Sequence, residues 1–297
     1  MTMSVHLPVL VEPIIETLDL KPGNVVIDGT LGGGGHTVEF SRLVGPEGKV
    51  FGFDRDPVAV ENTAANMPEN VVGVAGNYAD VPEYMRQMEI GPVDAVLLDL
   101  GLSSDQLADH DRGFSFKSSG VLDLRFDQTS GEPAWRLINR LGEKHLADLI
   151  YQFGQERYSR RVARKICRLR HEETIKTADQ LARIVRSCVP RSRNHSIDPA
   201  TRTFQALRIG VNEELKWLKV ALKRLPGVLK VGGKLAVISF HSLEDRMVKT
   251  AFAEDPSLKI LTKRPITADE SEIAINPRSR SAKLRIAERV ALAPPQG

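Results

Sequence analysis

A run of glycines follows an aspartate near the start of the chain, in the segment DGTLGGGGH from Asp28 to His36. Glycines let the backbone approach a ligand closely, and they let backbone amides line that ligand. A dinucleotide fingerprint requires G-x-G-x-x-G, but counting from Gly32 places Thr37 at the third glycine position, and no other register fits. An acid followed by G-x-G, as in Asp28, Gly32 and Gly34, is instead typical of enzymes that bind S-adenosylmethionine. A flexible turn without a ligand is the alternative.

Acidic and aromatic residues also follow the next three apolar runs. Asp54 closes the second run, where a carboxylate can accept both ribose hydroxyls of an adenosine ligand. Tyr78 follows the third run and would place a ring beside the adenine, and Asp99 closes the fourth. Because the carboxyl ends of parallel strands meet at one edge of a sheet, these residues together predict an adenosine-ligand site there. Each one alone could be a helix cap or a turn former, and core packing is the alternative for Tyr78.

A sheet is needed to bring these residues together, and the sequence predicts one. Four short β-branched runs precede the acids and the tyrosine, a fifth lies at 234–239, and helical stretches separate them. Strands that are apolar nearly throughout imply a parallel sheet with helices on both faces. A final hairpin is predicted to pair 258–263 with 283–290.

A long segment, 105–198, separates the fourth and fifth predicted strands. It has few β-branched runs and several amphipathic patterns, so we predict an inserted helical domain for substrate recognition. The stretches 1–104 and 199–297 are predicted to form the S-adenosylmethionine-binding domain. One long helix is predicted from Ala200 to Leu225.

Basic residues are unevenly placed along the chain. The total is 41 basic and 38 acidic residues, a formal net charge of +3, but between Glu156 and Arg208 fourteen Lys and Arg residues stand against five acids. This excess predicts contact with a polyanion, and a solvated helix surface is the alternative. The fourteen are Arg157, Arg160, Arg161, Arg164, Lys165, Arg168, Arg170, Lys176, Arg183, Arg186, Arg191, Arg193, Arg202 and Arg208.

The composition excludes several other classes of protein. A length of 297 residues with 41% hydrophobic side chains predicts a packed core and rules out a small disulfide scaffold. No apolar run approaches the roughly 18 residues of a membrane span, and the first residues lack a signal-peptide pattern. We therefore expect a cytoplasmic protein without a membrane partner. Cys167 and Cys188 belong to no ligand-rich cluster, so no metal site is expected.

Beyond these patterns, the chain resembles the MraW/RsmH family of bacterial 16S ribosomal RNA cytosine-N(4) methyltransferases over nearly its whole length. The matching stretches are HLPVL (6–10), DGTLGGGGH (28–36), FDRDP (53–57), LDLGLSS (98–104), RGFSF (112–116), ATRTFQALRI (200–209), ISFHSLEDR (238–246) and NPRSRS (276–281). The resemblance implies a Rossmann-like α/β methyltransferase sheet with an inserted helical domain. It also implies S-adenosylmethionine as cofactor and methylation of a cytidine in the decoding region of the small ribosomal subunit. The implied cofactor contacts are Gly34, Gly35, His36, Asp54, Tyr78, Asp99 and Gln106.

The chain departs from the family pattern at a few positions. Tyr78 stands where the family has Phe, Asp105 where it has Pro, Gln155 where it has Glu, and LDLRF replaces LDMRM at 122–126. The aromatic and apolar exchanges preserve the character of the side chains. Gln155 removes a charge from the insertion, and Asp105 bears on the turn that presents Gln106.

Methyl transfer to cytosine requires an aligned acceptor nitrogen, exclusion of water and a final uptake of a proton. Asp99 is a candidate acceptor for hydrogens of the cytosine amine. His241, which follows the fifth strand, is a candidate catalytic base or a contact to the edge of the base, and a hydrogen-bonded structural histidine is the alternative. Arginines are candidates for binding RNA phosphates, with surface salt bridges as the alternative: Arg112, Arg160, Arg161, Arg164, Arg246, Arg278 and Arg280.

Two other functions compete with this interpretation. The failed dinucleotide spacing disfavours an adenosine-cofactor oxidoreductase. Intact residues at the strand ends argue against an RNA-binding assembly factor that has lost catalysis. The expected partner is 16S ribosomal RNA, in the small subunit or in a late assembly particle.

Overall fold

The computed structural model describes residues 7–103, 106–107, 109, 111–116, 119–190 and 198–292. The chain forms two compact units. We call Met1–Ser103 together with Leu215–Gly297 the sheet unit, and Ser104–Glu214 the helical unit. Among the described residues, every helix is too short or too polar to span a lipid bilayer.

The sheet unit contains one seven-stranded sheet with the order β3-β2-β1-β4-β5-β7-β6. The strands are β1 Val25–Asp28, β2 Lys49–Asp54, β3 Val71–Ala75, β4 Val93–Asp99, β5 Leu229–Ser239, β6 Leu258–Ile260 and β7 Lys283–Arg289. The first five run parallel, while β7 is antiparallel to both β5 and β6. The predicted α/β, Rossmann-like sheet and its final hairpin are therefore confirmed.

Helices α1 to α12 surround the sheet or build the helical unit. They are α1 Val11–Leu18, α2 Gly35–Val44, α3 Pro57–Ala64, α4 Val81–Gln87, α5 Ala134–Arg140, α6 Glu143–Gly154, α7 Ser159–Leu169, α8 Ala178–Cys188, α9 Thr201–Asn212, α10 Glu214–Arg224, α11 Ser242–Glu254 and α12 Glu270–Ile275.

Both faces of the sheet are buried in apolar side chains. Along β4, Val96 and Leu98 point into one apolar layer and Ala95 and Leu97 into the other, and all four are fully buried. Successive strand residues face opposite sides, so a strand covered on both sides must be apolar throughout. This is why the short apolar runs of the sequence marked the central strands.

The helical unit extends further along the chain than the predicted insertion, ending at Glu214 rather than at 198. The prediction of one helix from Ala200 to Leu225 was wrong, because Glu213 takes a left-handed conformation with φ of 50° between α9 and α10. The Asn212 side chain anchors α9 inside this unit by donating to the Leu124 carbonyl over 2.7 Å. Part of the polar stretch before α9, residues 191–197 with Arg191 and Arg193, lies outside the described residues.

Candidate functional site

The aspartate that ends β1 organises the glycine loop from inside. Asp28 is buried, its Oδ2 accepts a hydrogen bond from the Thr37 hydroxyl over 2.7 Å, and its Oδ1 accepts from the Thr30 amide over 3.1 Å. These bonds tie the two ends of the loop to the end of the strand. The carboxylate of Asp28 therefore fixes the shape of the loop.

Two glycines of the loop are favoured by the backbone conformation and the packing of the chain itself. Gly34 has φ of 80°, and a Cβ there would lie 1.9 Å from the Met67 methyl group. A Cβ on Gly35 would lie 3.0 Å from the Pro8 ring. A Cβ on Gly34 would also lie 2.9 Å from the Thr63 Cγ2 on α3, so side chains at both positions would be crowded. The glycines predicted as cofactor contacts thus also have an internal reason to be glycine.

Asp54 joins the end of β2 to the glycine loop. Its Oδ2 accepts from the Gly32 amide over 2.9 Å, and its Oδ1 accepts from the Asp56 amide over 3.0 Å. Burial is the main cause that raises the pKa of this carboxyl, and the two amide bonds oppose it. Each carboxylate oxygen has a second lone pair, so the group retains the capacity to accept ribose hydroxyls.

Tyr78 lies at the carboxyl end of β3, where it begins a short 3-10 helix that Asn77 caps. The ring is half-buried and packs on one apolar layer of the sheet. A Cβ on Gly29 would lie 2.9 Å from the Tyr78 Cβ, so the tyrosine stands beside the start of the glycine loop. Core packing explains the position of part of the ring, and contact of the ring with adenine stays a prediction.

Asp99 and His36 face one another where β4 ends. The Asp99 Oδ2 lies 3.7 Å from the His36 Nδ1, and the other imidazole nitrogen, Nε2, lies 2.9 Å from the Val9 carbonyl oxygen. The Asp99 amide donates to the Thr30 hydroxyl over 2.6 Å. Its Oδ1 is buried and makes no hydrogen bond with any described residue. Burial, as the largest cause, raises the pKa of this carboxyl from 3.8 to about 6.

His241 caps helix α11. Its Nδ1 accepts from the Glu244 amide over 3.4 Å, and the Glu244 Oε2 accepts from the amides of Phe240 and His241 over 3.0 and 3.3 Å. The buried Nε2 lies 3.1 Å from the Glu244 Oε1 without the alignment of a hydrogen bond. Since Nδ1 accepts, the ring proton belongs on Nε2. This geometry gives His241 a capping role, and it favours a donor over a proton acceptor if the ring meets a substrate.

Three predicted arginines of the sheet unit lie on α11 and in the segment after α12. Arg246 and Arg280 are exposed. Arg278 is half-buried and donates to the Leu102 carbonyl, so it also holds the chain just after β4. Any contact of these side chains with phosphate stays a prediction.

Two of the predicted site residues in the helical unit, Gln106 and Arg112, are buried. Gln106 lies within a short described stretch, while its predicted neighbour Asp105 lies outside the described residues. Arg112 donates to the carbonyls of Arg125 and Phe126 over 2.8 and 2.7 Å, so its guanidinium supports the fold of this unit. The guanidinium is thus engaged within its own unit, and its contact with an RNA phosphate stays a prediction.

The basic segment divides into paired and solvent-facing residues. Arg183 pairs with Asp179 over 2.7 Å, and Arg186 with Asp198 over 2.6 Å. Arg170, Arg202 and Arg208 also have partners within the helical unit. By contrast, exposed arginines in or just before α7 have no ion-pair partner among the described residues: Arg157, Arg160, Arg161 and Arg168. Arg164 is exposed as well and lies 3.4 Å from Glu143.

The residues gathered at the carboxyl ends of the parallel strands fit an adenosine cofactor with a charged amino acid tail. Asp54 and Asp99 lie at the ends of β2 and β4, on either side of β1 and its glycine loop. The strand order reverses at β1, which is where an open α/β sheet binds its ligand. The buried Asp99 Oδ1 has no hydrogen-bond partner in the part of the chain that the structure describes, and it can accept from a donor such as an ammonium group.

Sequence reasoning missed three residues that build this site. The Thr30 hydroxyl accepts from the Asp99 amide, and the Val9 carbonyl lies within hydrogen-bond distance of the His36 ring. The Glu272 carboxylate accepts from the amide of the residue after Val9. Thr30 lies within the glycine-rich stretch, so its place beside Asp28 was a usable signal. Val9 lies in the matched stretch HLPVL, which marks the segment without indicating the contact, and no local pattern marks Glu272.

Comparison with known proteins places the chain among methylases. The sequence profile of the MraW methylase family matches residues 3–290. Ribosomal RNA small subunit methyltransferase H of Rhodopirellula baltica is 46% identical over 297 residues, covering 96% of this chain and 91% of that protein. The protein of the same name from Deinococcus radiodurans is 48% identical over 286 residues, covering 96% and 90%. That of Syntrophotalea carbinolica is 43% identical over 307 residues, covering 96% and 98%.

Proposed function

Because the chain belongs to the MraW methylase family, we propose that it transfers a methyl group to 16S ribosomal RNA of the small subunit. We propose further that the acceptor is the N4 nitrogen of a cytidine in the decoding region. The observation that carries the proposal is the joint position of Asp54 and Asp99 on either side of the β1 glycine loop. The names of the relatives from Rhodopirellula and Deinococcus support the small-subunit RNA as substrate.

The cofactor is S-adenosylmethionine, which supplies the activated methyl group. We assign the ribose hydroxyls to Asp54 and the amino group of the methionine part to Asp99. The glycine loop, with Gly34, Gly35 and His36 at the start of α2, would line the cofactor, and Tyr78 would lie beside the adenine. Gln106 remains a proposed contact from the helical unit.

Asp99 and His241 are the groups proposed to meet the acceptor base. A carboxylate can accept a hydrogen bond from the exocyclic amine. This bond would hold the nitrogen in line for attack on the methyl group. With its Nδ1 accepting the Glu244 amide, His241 keeps its proton on Nε2, which is buried 3.1 Å from the Glu244 Oε1. The proposed donation to an acceptor on the edge of the cytosine therefore requires that RNA binding uncover this atom. We therefore propose that Asp99 accepts a hydrogen bond from the cytosine amine in addition to one from the amino group of the cofactor, and that His241 is a contact that orients the base.

The solvent-facing arginines of α7 are proposed to bind the RNA backbone. Helix α7 has an exposed side with Arg160, Arg161 and Arg164. Its other side is buried and carries Val162 and Ile166. Arg246, Arg278 and Arg280 are proposed as further phosphate contacts. Exposed guanidinium groups bind phosphates and carry little sequence preference, so the target cytidine would be chosen elsewhere. Of the three, Arg164 already lies 3.4 Å from Glu143, whereas Arg160 and Arg161 have no ion-pair partner among the described residues.

Mass spectrometry of small-subunit RNA from cells with and without this protein tests the proposal. One cytidine should carry a methyl group only when the protein is present, and nucleoside chromatography against N4-methylcytidine standards should identify the methylated atom. Methylation at another atom or base would overturn the N4 assignment. If the RNA is methylated identically in both strains, the proposal of an RNA-binding assembly factor without catalysis replaces it.

A further inference from the structure

The segment before α1 is fastened by residues from the far end of the chain. The Leu10 amide donates to the Glu272 Oε1 over 2.8 Å, and the Asn276 side-chain amide donates to the Leu7 carbonyl over 3.0 Å. Glu272 belongs to α12, and Asn276 directly follows that helix. We call 7–10 the N-terminal clamp. Its two ends are held by hydrogen bonds from the side chains of Glu272, on α12, and Asn276, directly after α12.

The N-terminal clamp touches the proposed cofactor site at two points. Its Val9 carbonyl faces the His36 Nε2 at 2.9 Å, and its Pro8 ring fills the space where Gly35 would carry a Cβ. A carbonyl oxygen only accepts, so the His36 proton must lie on Nε2. The His36 Nδ1 is thereby left to face Asp99, whose Oδ2 is 3.7 Å away.

The clamp needs an external hold to keep this geometry. Leu10 is fully buried and has φ of 55°, a left-handed conformation that residues with a side chain rarely adopt. Such a conformation persists only where the surroundings over-determine it. The Glu272 carboxylate on the Leu10 amide is a hold of this kind, one residue away from the carbonyl that orients His36.

We propose that Glu272 and Asn276 are positioning residues of the cofactor site. By fixing the N-terminal clamp, they set the proton position and the orientation of His36 toward Asp99. The inference rests on the proposed function, because it treats His36 and Asp99 as cofactor contacts. The inference gives α12 a role in the cofactor site, although none of the predicted cofactor contacts lies on that helix.

Calorimetry with S-adenosylhomocysteine tests the role in binding. Glu272→Ala should weaken binding on the order of three- to thirtyfold, as expected when a charge-assisted hydrogen bond that orders a site is lost. Glu272→Gln keeps an oxygen that accepts the Leu10 amide and should restore most of the affinity. Glu270→Ala, at an exposed position of the same helix, is the matched control and should bind as the wild-type protein does. Equal affinity of the wild-type and Glu272→Ala proteins overturns the inference.

Nitrogen NMR of the His36 ring tests the route, and it does not depend on ligand binding. The resonances are identified by their loss in His36→Gln. The wild-type ring should carry its proton on Nε2, and Glu272→Ala and Asn276→Ala should each yield a mixture of tautomers. Lost affinity with an unchanged tautomer rejects the route through His36. Failure of the wild-type protein to bind S-adenosylhomocysteine counts against the proposed function, whereas the ring resonances still decide the inference. Should Glu272→Ala not fold, Asn276→Ala replaces it as the variant that loses a contact to the clamp in both measurements, and Glu272→Gln stays the conservative control.

Discussion

The backbone amide of Asp99 donates to the Thr30 hydroxyl over 2.6 Å, and this bond joins the end of β4 to the glycine loop that follows β1. Asp54 makes the matching connection from β2, since its carboxylate accepts the Gly32 amide. The loop is thus held from both neighbouring strands. Two carboxyl groups are fixed in this way at the point where the strand order reverses, which is the arrangement that a ligand with several donors requires.

Replacement of Asp54 should weaken cofactor binding. We expect Asp54→Ala to cost about 1.5 to 3 kcal/mol of S-adenosylmethionine binding, because a charge-assisted pair of hydrogen bonds to the ribose is lost. The same change frees the Gly32 amide, so the loop itself is loosened. Asp54→Asn keeps one oxygen that can accept that amide and separates the two effects. Calorimetry measures the cofactor affinity of both variants. Unchanged affinity in a folded Asp54→Ala protein would remove Asp54 from the site.

Asp99 should make the stability of the protein depend on pH. Its pKa is raised from 3.8 to about 6 in the folded chain, chiefly by burial, so the folded state binds a proton more tightly than the unfolded state. Stability from this group is fully present below pH 3.8 and is lost as the pH rises toward 6. Asp99→Asn removes the buried charge and should therefore be more stable at neutral pH by about 1 to 3 kcal/mol.

Urea unfolding at several pH values checks this expectation. The difference between Asp99→Asn and the wild-type protein should grow between pH 4 and pH 6 and then level off. A constant difference across that range would show that Asp99 is not the group that titrates. The variant should also bind S-adenosylmethionine more weakly although it is more stable, since an amide nitrogen replaces one accepting oxygen.

The two roles of His241 can be separated by substitution. His241→Ala removes the cap of α11 and should lower stability by about 1 kcal/mol. His241→Asn supplies another capping side chain and should restore the stability. Both variants should lower the methylation rate at saturating cofactor on the order of tenfold to a thousandfold while leaving cofactor affinity nearly intact. Wild-type turnover by His241→Asn would mean that the histidine serves only as a cap.

The sequence was sufficient to predict the sheet. A strand buried on both faces has a local sequence pattern, a short apolar run followed by an acid or a turn. The sequence was insufficient at Glu213, where the helical pattern continues unbroken. The break there coincides with tertiary contacts such as that of the Asn212 side chain with the Leu124 carbonyl, 88 positions away. Such contacts override local helix propensity and leave no mark in a window of neighbouring residues.

The candidate site shows the same division. Asp28, Asp54 and Asp99 could be predicted because each ends a strand of the sheet. The hold of Glu272 on Leu10 could not, since the two residues are 262 positions apart and a glutamate in a polar stretch signals nothing by itself. Arg112 shows a related limit: its type suggests phosphate, but no local pattern indicates that its guanidinium donates to backbone carbonyls of its own unit. Its contact with phosphate stays a prediction.

The last prediction concerns the exposed arginines of α7. If this helix follows an RNA backbone, each neutralised phosphate releases counterions, and the logarithm of affinity should fall with the logarithm of salt at about −0.7 to −0.9 per contact. Removing one contact should make that slope shallower by about one unit. We would replace Arg160, Arg161 and Arg164 by Ala singly and together, since the i, i+4 spacing puts Arg160 and Arg164 on one face.

A matched control separates phosphate contact from loss of general charge. Arg183 is exposed on α8, but its charge is offset by Asp179 at 2.7 Å, so Arg183→Ala should leave the salt slope of RNA binding nearly unchanged. Cofactor affinity should be unaltered in every one of these variants, because the proposed cofactor contacts other than Gln106 belong to the sheet unit. If the triple variant binds its RNA with the salt dependence of the wild-type protein, α7 presents a solvated surface. The backbone contacts must then be sought at Arg246, Arg278 and Arg280.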